Sequence, residues 1–192
     1  MRAIATHQGY TEGLEHSSGT ERLFREVVRK FASPEMLCLD PRQWDSDPKS
    51  VVGYLARSKV TEVASIGYSY GGGYAAQRFA RECMKQGITI KLMLLCDPVY
   101  RPLWLPPWHI LQPFAIRSLM PKAATIDIPR SVEEVHWARQ RLSLPMAHDL
   151  RNEWSQTVIH PPQVLPYGHT AIDESPEWFR LVREKLTKFA SS

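Results

Sequence analysis

The chain reads as an α/β protein, a mainly parallel central sheet with helices on both faces, in one domain of 192 residues. Three observations predict this. Short apolar or β-branched runs alternate with segments whose apolar residues recur every three or four positions, the order of strand–helix–strand units. Residues 88–96 are apolar almost throughout, as a strand covered on both faces of a parallel sheet must be. A glycine-rich turn, Gly67-Tyr68-Ser69-Tyr70-Gly71, then joins an apolar run to a segment of helical period, and no internal repeat marks a second domain.

Residues 2–6 predict the first strand, which opens into a loop beginning His7-Gln8-Gly9-Tyr10. Residues 21–32 predict a helix with Leu23, Phe24, Val27, Val28 and Phe31 on its apolar face, stopped by Pro34. Residues 35–40, around Met36-Leu37-Cys38-Leu39, predict a short strand. Asp47-Pro48 has the form of an N-cap with proline at the first helical position, and that helix carries Val51, Val52 and Leu55. Val60-Thr61-Glu62-Val63-Ala64-Ser65-Ile66 is the next strand. Ala75, Ala76, Phe79, Ala80, Cys83 and Met84 mark the helix after the turn, with Gly87 at its stop. The strand at 88–96 follows.

Beyond Asp97 the character changes. Prolines recur from Pro98 to Pro129, with Trp104, Trp108 and Phe114 among them. Proline removes donors and restricts the backbone, so residues 98–130 predict an irregular, cap-like insertion over the sheet, with one short strand at 124–128. Ser131 and Glu134 have capping-box spacing, which predicts a helix running to about residue 141. Residues 158–167 predict loop and a short edge strand. Ser175-Pro176 opens the last helix, which buries Phe179, Val182, Leu186 and Phe189.

Composition excludes several classes. Apolar content of 43% and charged content of 23% are those of an ordinary globular domain. No run is long enough to span a bilayer, and the apolar start is too short for a signal peptide, so a cytoplasmic location is expected. The net charge of +4 is modest and scattered, so no nucleic-acid partner is expected. Cys38, Cys83 and Cys96 lack metal-ligand spacing and are expected as free thiols. No His-Glu-x-x-His or comparable spacing occurs, and neither metal nor organic cofactor is expected.

The serine in the glycine-rich turn carries the chemistry. A strand, a sharp turn and a helix in that order hold the hydroxyl of Ser69 at the tip of a nucleophile elbow. Serine is a weak nucleophile at neutral pH and needs a base, which in turn needs an orienting acid. The chain order serine, acid, histidine is met by Ser69, Asp97 and His169. Asp97 ends the strand after the elbow, and His169 lies in Tyr167-Gly168-His169-Thr170, just before the last helix. Asp127 is the other candidate acid, ending its own short strand, and a turn-forming Asp-Pro pair is the plain alternative for Asp97. Among seven histidines, His160 is the second choice of base and His7 precedes the serine; His109, His136 and His148 suit surface or packing roles. The oxyanion donors are expected from the amides of Tyr70 and of Gln8 or Gly9. Tyr68, Trp104 and Trp108 are the expected substrate-lining residues, although the tryptophans would equally pack back onto the sheet as core.

On the strength of Gly67-Tyr68-Ser69-Tyr70-Gly71, Leu95-Cys96-Asp97-Pro98 and Gly168-His169, the chain resembles the α/β-hydrolase superfamily, in its compact lipase, esterase and cutinase-like size class. The resemblance covers nearly the whole chain in element order. It implies hydrolysis of an ester or thioester through an acyl-enzyme, without metal or organic cofactor. The tryptophans and leucines of residues 101–111 add the expectation of a lipophilic acyl group or lipid-like ester substrate, and of transient contact with an interface. The same triad would serve a thioester or amide, and a non-catalytic protein of this fold that binds a partner through the aromatic insertion is the alternative of a different kind. The chain is short for the family, so the early strands of the usual sheet are expected to be missing.

Overall fold

The computed structural model describes residues 1–9, 18–100, 125–143 and 145–192. The strands β1 (Arg2–His7), β2 (Met36–Arg42), β3 (Glu62–Tyr68), β4 (Thr89–Cys96), β5 (Thr125–Ile128), β6 (Val132–Arg139), β7 (Asp149–Asn152), β8 (Val158–Ile159) and β9 (Gln163–Val164) fall in two sheets. The main sheet has seven strands in the order β2-β1-β3-β4-β6-β8, with β9 also paired to β6, and every pairing is parallel. β5 and β7 form a separate two-stranded sheet.

Helices α1 (Gly19–Phe31), α2 (Pro48–Arg57), α3 (Ala76–Lys85), α4 (His169–Ile172) and α5 (Pro176–Ser191) complete the described part. Their starts follow local chemistry. Ser18 caps α1 by accepting from the Glu21 amide, Asp47 accepts from the Lys49 amide ahead of Pro48, and Ser175 accepts from the Trp178 amide ahead of Pro176.

Successive residues of the central strands point to opposite faces and feed two cores. One face gathers Ala3, Val63, Ile90, Met93 and Leu95 under Val52 and Leu55 of α2 and Phe79 and Cys83 of α3. The other gathers Ile4, Ile66, Leu92 and Leu94 under Leu23 and Val27 of α1 and Trp178, Val182 and Leu186 of α5. Both faces of a parallel sheet are thus covered, as its connections require. The three cysteines are free thiols; burial pushes Cys83 up to about 12 and Cys38, half-buried, up to about 11. No described helix is long and apolar enough to cross a membrane.

One element departs from the sequence expectation. The helix predicted from Ser131 is the strand β6, paired along its length with β4 from Ile90↔Val132 to Cys96↔Ala138. Val135 and Trp137 enter one core and Ala138 the other. The spacing of Val132, Val135 and Ala138 fits a helix face, and so short a run does not separate the two periods. The open side of β4 separates them, because an unpaired central strand needs a neighbour. Of the predicted insertion, residues 101–124, with Trp104, Trp108 and His109, lie outside the described residues.

Candidate active site

Four connections meet at the C-terminal ends of adjacent strands, where parallel sheets of this kind gather their functional loops. β1 leads to Gln8 and Gly9, β3 to Ser69, β4 to Asp97 and β6 to Gln140.

Ser69 sits at φ 53, in the left-handed region that costs a residue with a Cβ roughly 1–2 kcal/mol. Its neighbours hold it there. A Cβ at Gly67 would come 2.6 Å from the Gly72 Cα, and one at Gly71 would collide with the His7 and Gln8 carbonyls. The glycines therefore let the turn close on itself and on the loop after β1. The helix that follows starts with a wide π turn over Gly71–Ala75, and the buried Gln77 amide group donates to the Gly72 carbonyl within it (3.0 Å). Asp97 is also left-handed, at φ 42. The Val99 amide donates to the Ser69 carbonyl (3.0 Å), tying the turn after β4 to the elbow.

The side chains of Ser69, His169 and Asp97 form one hydrogen-bonded chain. Ser69 Oγ lies 2.9 Å from His169 Nε2, and His169 Nδ1 lies 2.6 Å from Asp97 Oδ2. A carboxylate only accepts, so Nδ1 carries the ring proton and Nε2 presents its lone pair to the serine hydroxyl. Asp97 is fully buried, Ser69 is 5% exposed and His169 7%. The carboxylate is satisfied from the other side by Gln140. The Gln140 backbone N–H donates to Oδ1 and its Nε2 to Oδ2, both at 3.1 Å.

Gln140, fully buried, organises more than the acid. Its Nε2 also reaches the carbonyls of Ser143 and Pro145, and its Oε1 accepts from the amides of Leu142 and Ser143. Ser143 Oγ in turn accepts from the His169 amide at 2.7 Å. One side chain therefore braces both the acid and the histidine loop. Its position is hidden in the sequence, because the spacing of residues 131–141 predicts a helix where β6 lies. As the first residue past a strand adjacent to β4, it would have been a candidate by position.

Tyr68, expected against substrate, is buried; its hydroxyl donates to the His169 carbonyl (2.7 Å) and its ring packs 5.3 Å from the imidazole. Gln8 does not offer its amide to the elbow, because that N–H donates to the Arg42 carbonyl at 2.8 Å, extending the edge pairing of β1 with β2. Gly9 lies against the elbow, where an added Cβ would come 3.2 Å from Ser69 Cβ and 3.0 Å from the Tyr68 ring. Asp127 is apart from the histidine and accepts from Arg151 Nε at 2.7 Å. His7 is buried beside Ser65 and Phe79, and burial lowers it to about 4. His160 is on another cluster, bonded to Glu134. His136, expected on a helix, is on β6 beside it.

Trp44, not singled out in the sequence, follows β2 at this same edge. Its ring lies 5.2 Å from that of Tyr70 and 6.1 Å from that of Tyr74, which is 6.2 Å from Tyr100.

No family model and no curated protein matches the chain. Among solved structures, it is similar to a protein of the alpha/beta hydrolase superfamily from Xanthomonas campestris pv. campestris, at 12% identity and a TM-score of 0.49, over 97% of this chain and 98% of the other. It is similar to RedJ, a structure with a polyethylene glycol molecule bound in the active site, at 12% identity and a TM-score of 0.48, over 97% and 90% of the two chains. It is also similar to YbtT, the type II thioesterase of the yersiniabactin pathway, at 11% identity and a TM-score of 0.44, over 95% and 92%. Likeness at this level carries no functional argument.

Proposed function

We propose that the chain is a serine hydrolase of the α/β-hydrolase type that cleaves a carboxylic ester with a lipophilic acyl group through an acyl-enzyme on Ser69. The relay of Ser69 Oγ, His169 Nε2 and Asp97, at 2.9 and 2.6 Å, carries this reading. His169 takes the serine proton as Oγ attacks the acyl carbon, and returns it to the alkoxy oxygen as that bond breaks. Water then repeats the sequence on the acyl-enzyme and releases the carboxylic acid. Asp97 fixes the imidazole tautomer and offsets the imidazolium charge; Gln140 and Ser143 are positioning residues that act through Asp97 and His169.

The oxyanion is assigned to the amide of Tyr70, which enters the helix directly after the nucleophile, and to that of Gly9, whose backbone lies against Ser69. The Gln8 amide instead donates to the Arg42 carbonyl. The acyl preference is supported by the rings of Trp44, Tyr70, Tyr74 and Tyr100 near the elbow and by the tryptophans and leucines of residues 101–111.

A fluorophosphonate probe with mass-spectrometric mapping tests the proposal. Labelling is expected at Ser69, absent in Ser69→Ala, and slower by about a thousandfold or more in His169→Ala and Asp97→Asn, with Asp127→Asn close to wild type. Rates on p-nitrophenyl esters of rising chain length, beside a matched acyl thioester, read the substrate class. A folded protein that takes no label would leave the elbow as geometry without chemistry and bring forward the partner-binding reading.

A further inference from the structure

We infer that Glu134, His136 and His160 form a binding site for a divalent transition cation, Zn²⁺ above all, that ties β6 to the β8 segment. The three offer ligand atoms that all lie within 4.8 Å of one another. The strand register brings them together. Glu134 and His136 are two apart on β6 and share one face, while the pairing of Glu134 with Val158 and Val135 with Ile159 carries His160 alongside His136. The His160 amide, donating to the Val135 carbonyl at 3.0 Å, continues that register.

The two imidazoles stack with centroids 3.9 Å apart and planes 10° from parallel. Both turn Nε2 toward the same carboxylate oxygen, Glu134 Oε1, at 2.6 and 2.8 Å. Zinc ligands stand about 2.0–2.2 Å from the metal, so tetrahedral neighbours are roughly 3.3 Å apart. Replacing the two hydrogen bonds by one shared cation therefore opens the contacts by about 0.5–0.7 Å. The exposed half of the Glu134 side chain has room for that movement.

The donor set selects the ion. Two imidazole nitrogens and one carboxylate suit zinc and its first-row neighbours, and disfavour magnesium and calcium, which take oxygen ligands. A groove of about 490 Å³, lined by Glu62, Lys91, Glu134 and Lys185 among others, gives solvent access to the carboxylate. The site is not part of the serine relay, since His136 precedes Gln140 by about 13 Å of strand. Its effect is on the segment after β6, which leads through β9 to the His169 loop.

The test uses the untagged full-length chain, stripped with a chelator and titrated with ZnCl₂ by calorimetry. One equivalent is expected to bind with micromolar or tighter affinity, and Co²⁺ is expected to give the visible bands of a low-coordinate site. Glu134→Gln and His160→Gln, which keep side-chain size at partly exposed positions, are each expected to weaken binding at least tenfold, with far-UV circular dichroism unchanged. Cys38→Ser, which removes the most accessible thiol, should bind as wild type. Saturating zinc is expected to raise Tm by roughly 5 °C at a hundredfold excess over Kd, an increase lost in Glu134→Gln. Absence of zinc binding and of cobalt bands in the wild-type chain would overturn the inference, as would wild-type affinity in both variants.

Discussion

His169 is held at every polar group it has. Its amide is on Ser143, its carbonyl on Tyr68, Nδ1 on Asp97 and Nε2 on Ser69. Such a ring has little rotational freedom, which is the condition for a base that must meet its proton in one direction. The partner most open to test is Gln140. Gln140→Ala removes one side-chain donor to a buried carboxylate, and hydrogen bonds to charged groups are worth about 1.5–3 kcal/mol. The variant is therefore expected to label with fluorophosphonate about 10–100-fold more slowly, and on an ester substrate the loss should fall on kcat with KM little changed. An unaltered labelling rate would remove Gln140 from the relay. Ser69, Asp97 and His169 were legible in the sequence because each stands at a marked boundary: between glycines, at a strand end before proline, and in a glycine-bearing loop. Gln140 was not, because its role depends on which strand lies beside β4.

Among the elements, the close fit between the π turn and the ends of β3 and β4 positions Ser69. Gly73 packs directly on the Val99 carbonyl, leaving no space for a methyl group. Gly73→Ala is expected to destabilise the fold by about 1–3 kcal/mol and to slow Ser69 labelling, because the helix must shift away from the turn after β4. Gly53, inside α2, makes the contrast: a Cβ there meets only the flexible end of Arg57 at 3.4 Å. Gly53→Ala is expected to stabilise by roughly 0.5–1 kcal/mol through lower backbone entropy in the unfolded chain. Urea unfolding of both variants checks the pair; equal signs would refute the packing argument. The sequence shows where these glycines lie along the chain, but not which of them meets another backbone. The misread β6 has the same origin. Its eight residues carry spacing compatible with either period, and only the vacancy beside β4 selects the strand.

The molecule as a unit is a sheet closed between two cores, and His7 is built into one of them. Its folded value of about 4 lies below the ordinary 6.5, because burial disfavours the charged ring. Between those values the unfolded chain binds a proton that the folded chain does not. The stabilising contribution is therefore full above about 6.5 and is lost as pH falls toward 4. At about 1.4 kcal/mol per unit, the loss amounts to about 3 kcal/mol. Urea midpoints at pH 7, 5.5 and 4.5 are expected to fall more steeply for the wild type than for His7→Gln. Parallel pH dependence in the two proteins would show that other groups govern the acid limb.

The sequence by itself determined the α/β class, the strands β1 to β5, the helix caps Asp47 and Ser175, and the three residues now joined in one hydrogen-bonded line. Those properties are written locally, in periodicity, in proline and glycine positions and in the chemistry of single turns. Tertiary structure decided the rest. It made residues 132–139 a strand, put Gln140 under Asp97, engaged the Gln8 amide at Arg42, placed Asp127 with Arg151 and stacked His160 on His136. Each of these depends on which strands become neighbours. Parallel pairing joins residues far apart in the chain, and no local pattern encodes that choice.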